Sequence, residues 1–237
     1  MNAALLTALW RQRFMSPMRM VFLLMLFAFP LLPLIVSPAM GFTTLQDARG
    51  LTLIFAVGMI GQDVSSGVLQ LLFARPVRRA DYVLSRWIAV SIAAIVLAVA
   101  QLFAASVILT ARGAAPDSTA VGLMMAQRIV EVAQMSAVFA LLSALVNGMG
   151  DLGLWFLAQL TGGVLAVIAQ WKHWPWLGRV GDEIGRIVTP VVNLAGVTSD
   201  LAGLAPLATA LSITTLALVL AILLVNRKEL SYASASG

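Results

Sequence analysis

The sequence predicts an all-α integral membrane protein with six transmembrane helices, and three observations carry that prediction. Of the 237 residues, 61% are hydrophobic and 11% charged, against roughly 25% charged in soluble domains. The mean hydropathy is +0.97. Apolar stretches recur along the whole chain, and at about 20 residues per span the length accommodates about six once loops are allowed for. That leaves no room for a soluble catalytic domain, so 1–237 reads as one transmembrane domain.

Composition also excludes several functions. The net charge of +5 would raise nucleic acid as a partner in a soluble chain, but in a membrane chain it is explained by basic residues collecting in cytoplasmic loops. Cysteine is absent and His173 is the only histidine, which rules out disulfides, thiolate sites and a multi-histidine metal site. The methionines, among them Met15, Met18, Met20, Met25, Met124 and Met125, follow no repeated ligand spacing and read as core and lipid packing rather than soft-metal ligands. No GxxxxGK[ST] phosphate loop occurs, so no nucleotide site is expected in this chain.

In chain order, residues 1–19 carry Leu5, Leu6, Leu9, Trp10 and Phe14 at helical spacing, with Arg11, Gln12 and Arg13 off that stripe. This predicts an amphipathic helix lying on the inner leaflet, although the stripe could also be the solvated start of the first span. That span covers about 20–38 and is retained, because its apolar run exceeds the roughly 7–15 residues of a signal core. Pro30 and Pro33 inside it predict a kink or a broken turn. A second span over 51–60 is too short alone and must extend in one direction or the other. The third covers 87–109, the fourth 126–146 and, after the Gly-rich turn NGMGD, the fifth 152–169. The sixth covers 206–225. Between the last two, 171–205 is too polar and too rich in Pro and Gly to cross. Its tryptophans Trp171, Trp174 and Trp176 suit an interfacial belt, and the stripe Val180, Ile184, Ile187 and Val188 predicts a short interfacial helix in an outer loop.

Six spans put both termini on one side. With the N-terminus inside, the inner segments hold Arg11, Arg13, Arg19, Arg75, Arg78, Arg79, Arg86, Arg227 and Lys228, and the outer ones Arg49, Arg112, Arg128, Lys172, Arg179 and Arg186. The excess favours an inner-membrane protein with cytoplasmic termini, and the basic cluster of 61–87 contributes most to it.

That cluster is the least membrane-compatible stretch of the chain, GQDVSSGVLQLLFARPVRRADYVLSRW. Val64, Val68, Leu71 and Leu72 recur at helical spacing beside polar Ser65, Ser66 and Gln70; Asp63, Ser65 and Ser66 are candidate N-caps, and Pro76 ends the segment. Asp81 suits the start of the next helix, and Arg86 with Trp87 marks where it meets the membrane. The stretch can be read simply as a basic inner loop. It also resembles the permease subunits of type-2 ABC exporters, in the run of an acid, a Gly, a leucine-rich turn, Arg-Pro, a second basic residue, then Tyr and Leu with a basic residue before the third span. The six-span plan, the N-terminal helix, the long loop before the last span and the NRKEL end agree with that resemblance.

The resemblance implies that this loop is a coupling helix docking into a groove of a separate cytosolic ATPase. It assigns 65–73 to the docking helix, places Asp63, Ser66, Gly67, Val68, Leu71 and Leu72 at the contact, and puts Arg75, Pro76 and Arg79 on the turn that sets its angle. Many relatives carry Glu where Gln62 or Asp63 falls, and Asp63 takes that place here. It further implies two ATPase copies holding ATP and Mg, a second permease copy, identical or paralogous, and no cofactor or catalytic residue in this chain. Two other classes stay open: a permease-like force transmitter or assembly scaffold, and a secondary transporter or channel.

Within the spans, Gln127, Glu131 and Gln134 lie at i, i+4 and i+7 on one face. An intramembrane acid is costly unless paired or wet, so this face either lines a pathway or holds a structural ion pair with Arg128, three residues before Glu131. Gln101, Gln159 and Thr161 suit helix-packing contacts.

Overall fold

The computed structural model describes residues 17–37, 39, 41, 45, 49–67, 69, 78–190, 192, 194 and 201–235, and these form helices and turns with no strand among them. In chain order they are α1 (Pro17–Ala28), a 3-10 turn (Phe29–Leu31), α2 (Leu32–Val36), α3 (Arg49–Ala56), α4 (Gly61–Ser65), α5 (Arg79–Ala111), α6 (Ser118–Leu145), α7 (Gly150–Lys172), α8 (Pro175–Val188) and α9 (Leu201–Ala235). Among the described residues four helices are long and apolar enough to cross a membrane: α5, α6, α7 and the segment Leu204–Arg227 of α9. Met20–Val36 and Gly50–Ser65 are apolar but shorter. The chain is therefore an all-helical membrane protein. The amphipathic helix expected over 1–19 lies outside the described residues except for its last three positions, as do Val68, Leu71, Leu72, Arg75 and Pro76 of the elbow.

The chain forms two compact units, Met1–Ala56 with Ile88–Ser136 and Val192–Ala210, and Val57–Trp87 with Ala137–Val191 and Leu211–Gly237. In the first, Leu31, Leu34, Leu45, Leu102, Ala105 and Leu109 make a buried cluster. The break between α1 and α2 falls at the expected prolines. Pro30 has no N–H, so the carbonyl of Leu26 loses its helical donor. Gln101 supplies one: its amide donates to the carbonyl oxygens of Leu26 at 3.0 Å and Phe27 at 2.9 Å. In a bilayer an unsatisfied carbonyl costs several kcal/mol (roughly 2–7), so Gln101 is what lets an apolar helix carry this kink.

In the second unit, Met59, Ile60, Val83 and Phe139 are fully buried, and the Phe139 and Trp155 rings approach at 6.2 Å between centroids. Helix α7 ends at His173, which adopts a left-handed conformation with φ 55°. Trp174 N–H then donates to the carbonyl of Ala169 at 3.0 Å, a helix-terminating turn, and Pro175 opens α8 at its first position. The short helix expected within 171–205 is present, but it doubles back along α7 instead of standing apart in a loop. Gly162 and Gly181 meet backbone to backbone: a Cβ on Gly181 would lie 2.8 Å from the carbonyl oxygen of Gly162. Trp155 Nε1–H donates to the carbonyl of Val188 at 3.1 Å, closing the far end of the hairpin. Glycine is needed at 181, where a side chain would push the two backbones apart, and a Cβ at 162 would be tight at 3.2 Å from the Gly181 carbonyl oxygen.

Candidate functional site

The apolar segment 51–60, expected to extend in one direction or the other, continues forward into α4, but not as one helix. After α3 ends at Ala56 the backbone passes through a turn at 57–60 before α4 resumes. A turn inside an apolar segment frees N–H groups that no water is at hand to satisfy. Two side chains of the same unit take them. Gly58 N–H donates to Asp151 Oδ2 at 2.6 Å, and the Ser143 hydroxyl oxygen accepts from both Ile60 N–H at 2.9 Å and Gly61 N–H at 2.8 Å. Asp151 and Ser143 are completely buried. Gly58, at φ 68°, supplies the left-handed residue the turn needs. Gly61 lies against the next connection: its carbonyl accepts from Gly148 N–H at 2.8 Å, and an added Cβ would sit 2.5 Å from the Gly148 carbonyl oxygen.

Beyond the break, Asp63 accepts hydrogen bonds from the Tyr82 hydroxyl and from Arg86, with which it forms an ion pair. All three are buried. The Arg86 guanidinium also lies 5.5 Å from the centroid of the Tyr82 ring, within cation–π range. This corrects one expectation. Asp63 does not cap a helix, because it lies inside α4 and is turned inward onto α5. Helix α5 begins at Arg79 with Asp81 in its first turn, so Arg86 lies about two turns inside it.

The Ser65 and Ser66 hydroxyls donate backwards to the carbonyls of Gln62 at 3.0 Å and Asp63 at 3.4 Å, closing α4. Gly67 follows in the left-handed region at φ 71°. Helix α4 ends at Ser65 and a turn follows at 66–67; of the docking segment 65–73, residues 68 and 70–73 lie outside the described residues. Of the other elbow residues, Arg79 begins α5 and is partly exposed.

In the other unit, Gln127, Glu131 and Gln134 share a face as their spacing required, and that face is turned inward. Glu131 and Gln134 are buried and Gln127 is partly so. Glu131 accepts from Gln127 Nε2 at 2.9 Å, Arg128 Nη1 at 2.9 Å and Val192 N–H at 3.2 Å, while Arg128 also donates to the carbonyl of Leu45. The cluster ties the connections at Leu45 and Val192 to α6. Of the two readings of Glu131, this geometry favours the structural ion pair. Glu131→Gln leaves the buried Arg128 guanidinium without its counter-charge, at a cost of about 3–5 kcal/mol. It is expected to lower the melting temperature of the purified protein. An unchanged melting temperature would restore the pathway reading.

Among the described residues no group of three or more His, Cys, Asp or Glu is placed to hold a metal ion. Sequence reasoning singled out Asp63 and named Tyr82 and Arg86 without pairing them to it, and it missed Ser143 and Asp151. The one signal for the last was an acid immediately after a Gly-rich turn, next to an apolar helix. No protein-family model, curated protein or solved structure matches this chain.

Proposed function

We propose that this chain is the membrane-spanning permease subunit of an ABC transporter, an exporter with six spans and both termini in the cytoplasm. On this reading α1 with α2, and α3 with α4, make the two shorter crossings, and the elbow between α4 and α5 is where a separate cytosolic ATPase docks. Two copies of the permease would bind two copies of the ATPase, which hold ATP and Mg.

The observation that carries the reading is the combination at 61–87 of a leucine-rich, Arg-Pro-terminated sequence with a buried Asp63–Tyr82–Arg86 anchor at its base. A loop that only obeyed a charge rule would have no need of such an anchor. A loop that is pushed by a partner does: displacement of the elbow is passed to α5 through buried contacts instead of being taken up by local bending. A secondary transporter is the second reading, favoured by the interruption at 57–60, since broken helices line the sites of such proteins. Here, however, the N–H groups freed by the break are taken up by Ser143 and Asp151.

The test is co-purification of a co-expressed cytosolic ABC ATPase, one that the unaltered chain retains, with the Leu71→Ala/Leu72→Ala variant. Each leucine buried in a partner's groove contributes about 1.5–3 kcal/mol, so single truncations should weaken docking about 10- to 100-fold at 1.4 kcal/mol per decade. Charge reversal at Arg75 or Arg79 should matter less unless a buried acid meets it. Full retention of the ATPase by a variant that still inserts would refute the docking role.

A further inference from the structure

The α7–α8 hairpin places charged side chains where lipid should be. The register set by Trp155 with Val188 and by Gly162 with Gly181 brings Arg186 level with Leu157, Glu183 with Leu160, and Arg179 with Val164. On α7, Leu157, Leu160 and Val164 are 61%, 64% and 53% exposed and wholly apolar. A face of that composition, on a helix long and apolar enough to cross a membrane, is a lipid-facing one. At the same levels, on the side of α8 turned away from α7, stand Arg179, Asp182, Glu183 and Arg186, all exposed. Their spacing of i, i+3, i+4 and i+7 puts them on one stripe. The Arg186–Glu183 pair, at 2.9 Å, leaves both side chains more than 60% exposed.

Charge cannot face hydrocarbon at these levels. Ionisable residues within the bilayer face the protein interior or a water-filled cavity, and Glu183, level with Leu160, stands about 15 Å from the Gly150 end of α7 and about 18 Å from its Lys172 end at 1.5 Å per residue, too far for a glutamate to snorkel to either surface. A stripe of both signs with little net charge suits a hydrated space rather than one fixed counter-ion. The same helix carries a separate apolar flank, Trp176, Val180 and Ile187, so a lipid-facing side and a wet side are both present on it. We infer that the charged stripe of α8 lines a water-filled vestibule that enters the bilayer alongside α7, open to small hydrated solutes. The inference needs only a bilayer around α7 and does not depend on an ATPase partner.

The chain has no cysteine, so single cysteines report without background. Asp182→Cys, Glu183→Cys and Arg186→Cys remove exposed charges that add little to stability, and a check of monodispersity confirms folding. In intact membrane vesicles of both orientations, all three are expected to react with a small charged thiol reagent, from one side only, as readily as Ser118→Cys at the exposed start of α6. Leu160→Cys and Val164→Cys on the lipid face of α7 should not react. Unreactive cysteines at 183 and 186 would overturn the vestibule, and disulfide cross-linking between copies at those positions would name a second copy as the cover. Reaction at 160 and 164 as well would overturn it differently, by placing the whole hairpin outside the bilayer. Loss of ATPase binding in the elbow variant would leave all of these outcomes unchanged.

Discussion

Arg86→Met should destabilise the purified protein by about 3–5 kcal/mol, the usual cost of leaving one partner of a buried pair uncompensated. Asp63 and Arg86 are 6% and 5% exposed, and Tyr82 between them is 4% exposed. Among the described residues Arg86 Nε finds no hydrogen-bond partner and Asp63 is the acid paired with the buried guanidinium. Asp63→Asn keeps the shape and an acceptor for the Tyr82 hydroxyl but strands the cation, and should cost a similar amount. Because a buried ion pair is often no better than a neutral pair of the same volume, the double variant Asp63→Asn/Arg86→Met should recover most of the loss. Thermal unfolding in detergent measures the whole cycle. Two single losses below about 1 kcal/mol that simply add would mean a solvent-screened pair, and the anchor at the base of the elbow would be lost with it.

Ser143→Ala is the second large effect, and its chemistry is simple because only one oxygen is removed. That oxygen accepts from two buried N–H groups, those of Ile60 and Gly61. Each unsatisfied donor costs about 1–3 kcal/mol, so about 2–6 kcal/mol should disappear from stability for the loss of a single atom. No water is expected to replace it in so apolar a setting. The side chain is completely buried, so little of the loss can be charged to solvent-exposed surface. A change under about 0.5 kcal/mol, the usual range for surface substitutions, would show that the break at 57–60 is held by other contacts and that Ser143 is incidental to it.

What could be read from the sequence was whatever depends on neighbours. Pro30 had to interrupt the first apolar segment, since a missing N–H acts on the same helix. Glu131 could be assigned Arg128 as a partner because three residues along a helix put them on one face, and the pair is there at 2.9 Å. The segment 51–60 was visibly too short, and it does continue into α4. In each case the cause and the effect lie within about two helical turns.

The rest was settled at a distance. The donor that makes good the Leu26 carbonyl's missing bond, Gln101, lies 75 positions away. The continuation of the second segment became a turn because Ser143 and Asp151, 83 and 93 positions from their donors, accept its N–H groups. Asp63 stood out as an acid beside apolar residues, but nothing local distinguished a cap from a buried anion; Arg86, 23 positions on, decided that. The stripe on α8 could be seen, yet periodicity ranks faces without saying what covers them. Val188 is buried against α7 while Val180 and Ile187 stay exposed, because two glycines 19 residues apart, Gly162 and Gly181, let the backbones meet. Composition and local spacing therefore determined that this chain is helical, belongs in a membrane, and where its helices begin to fail. Only tertiary structure decided how each failure is repaired, because in a medium without water every freed backbone or charged group must find its partner elsewhere in the protein, and spacing along the chain does not carry that information.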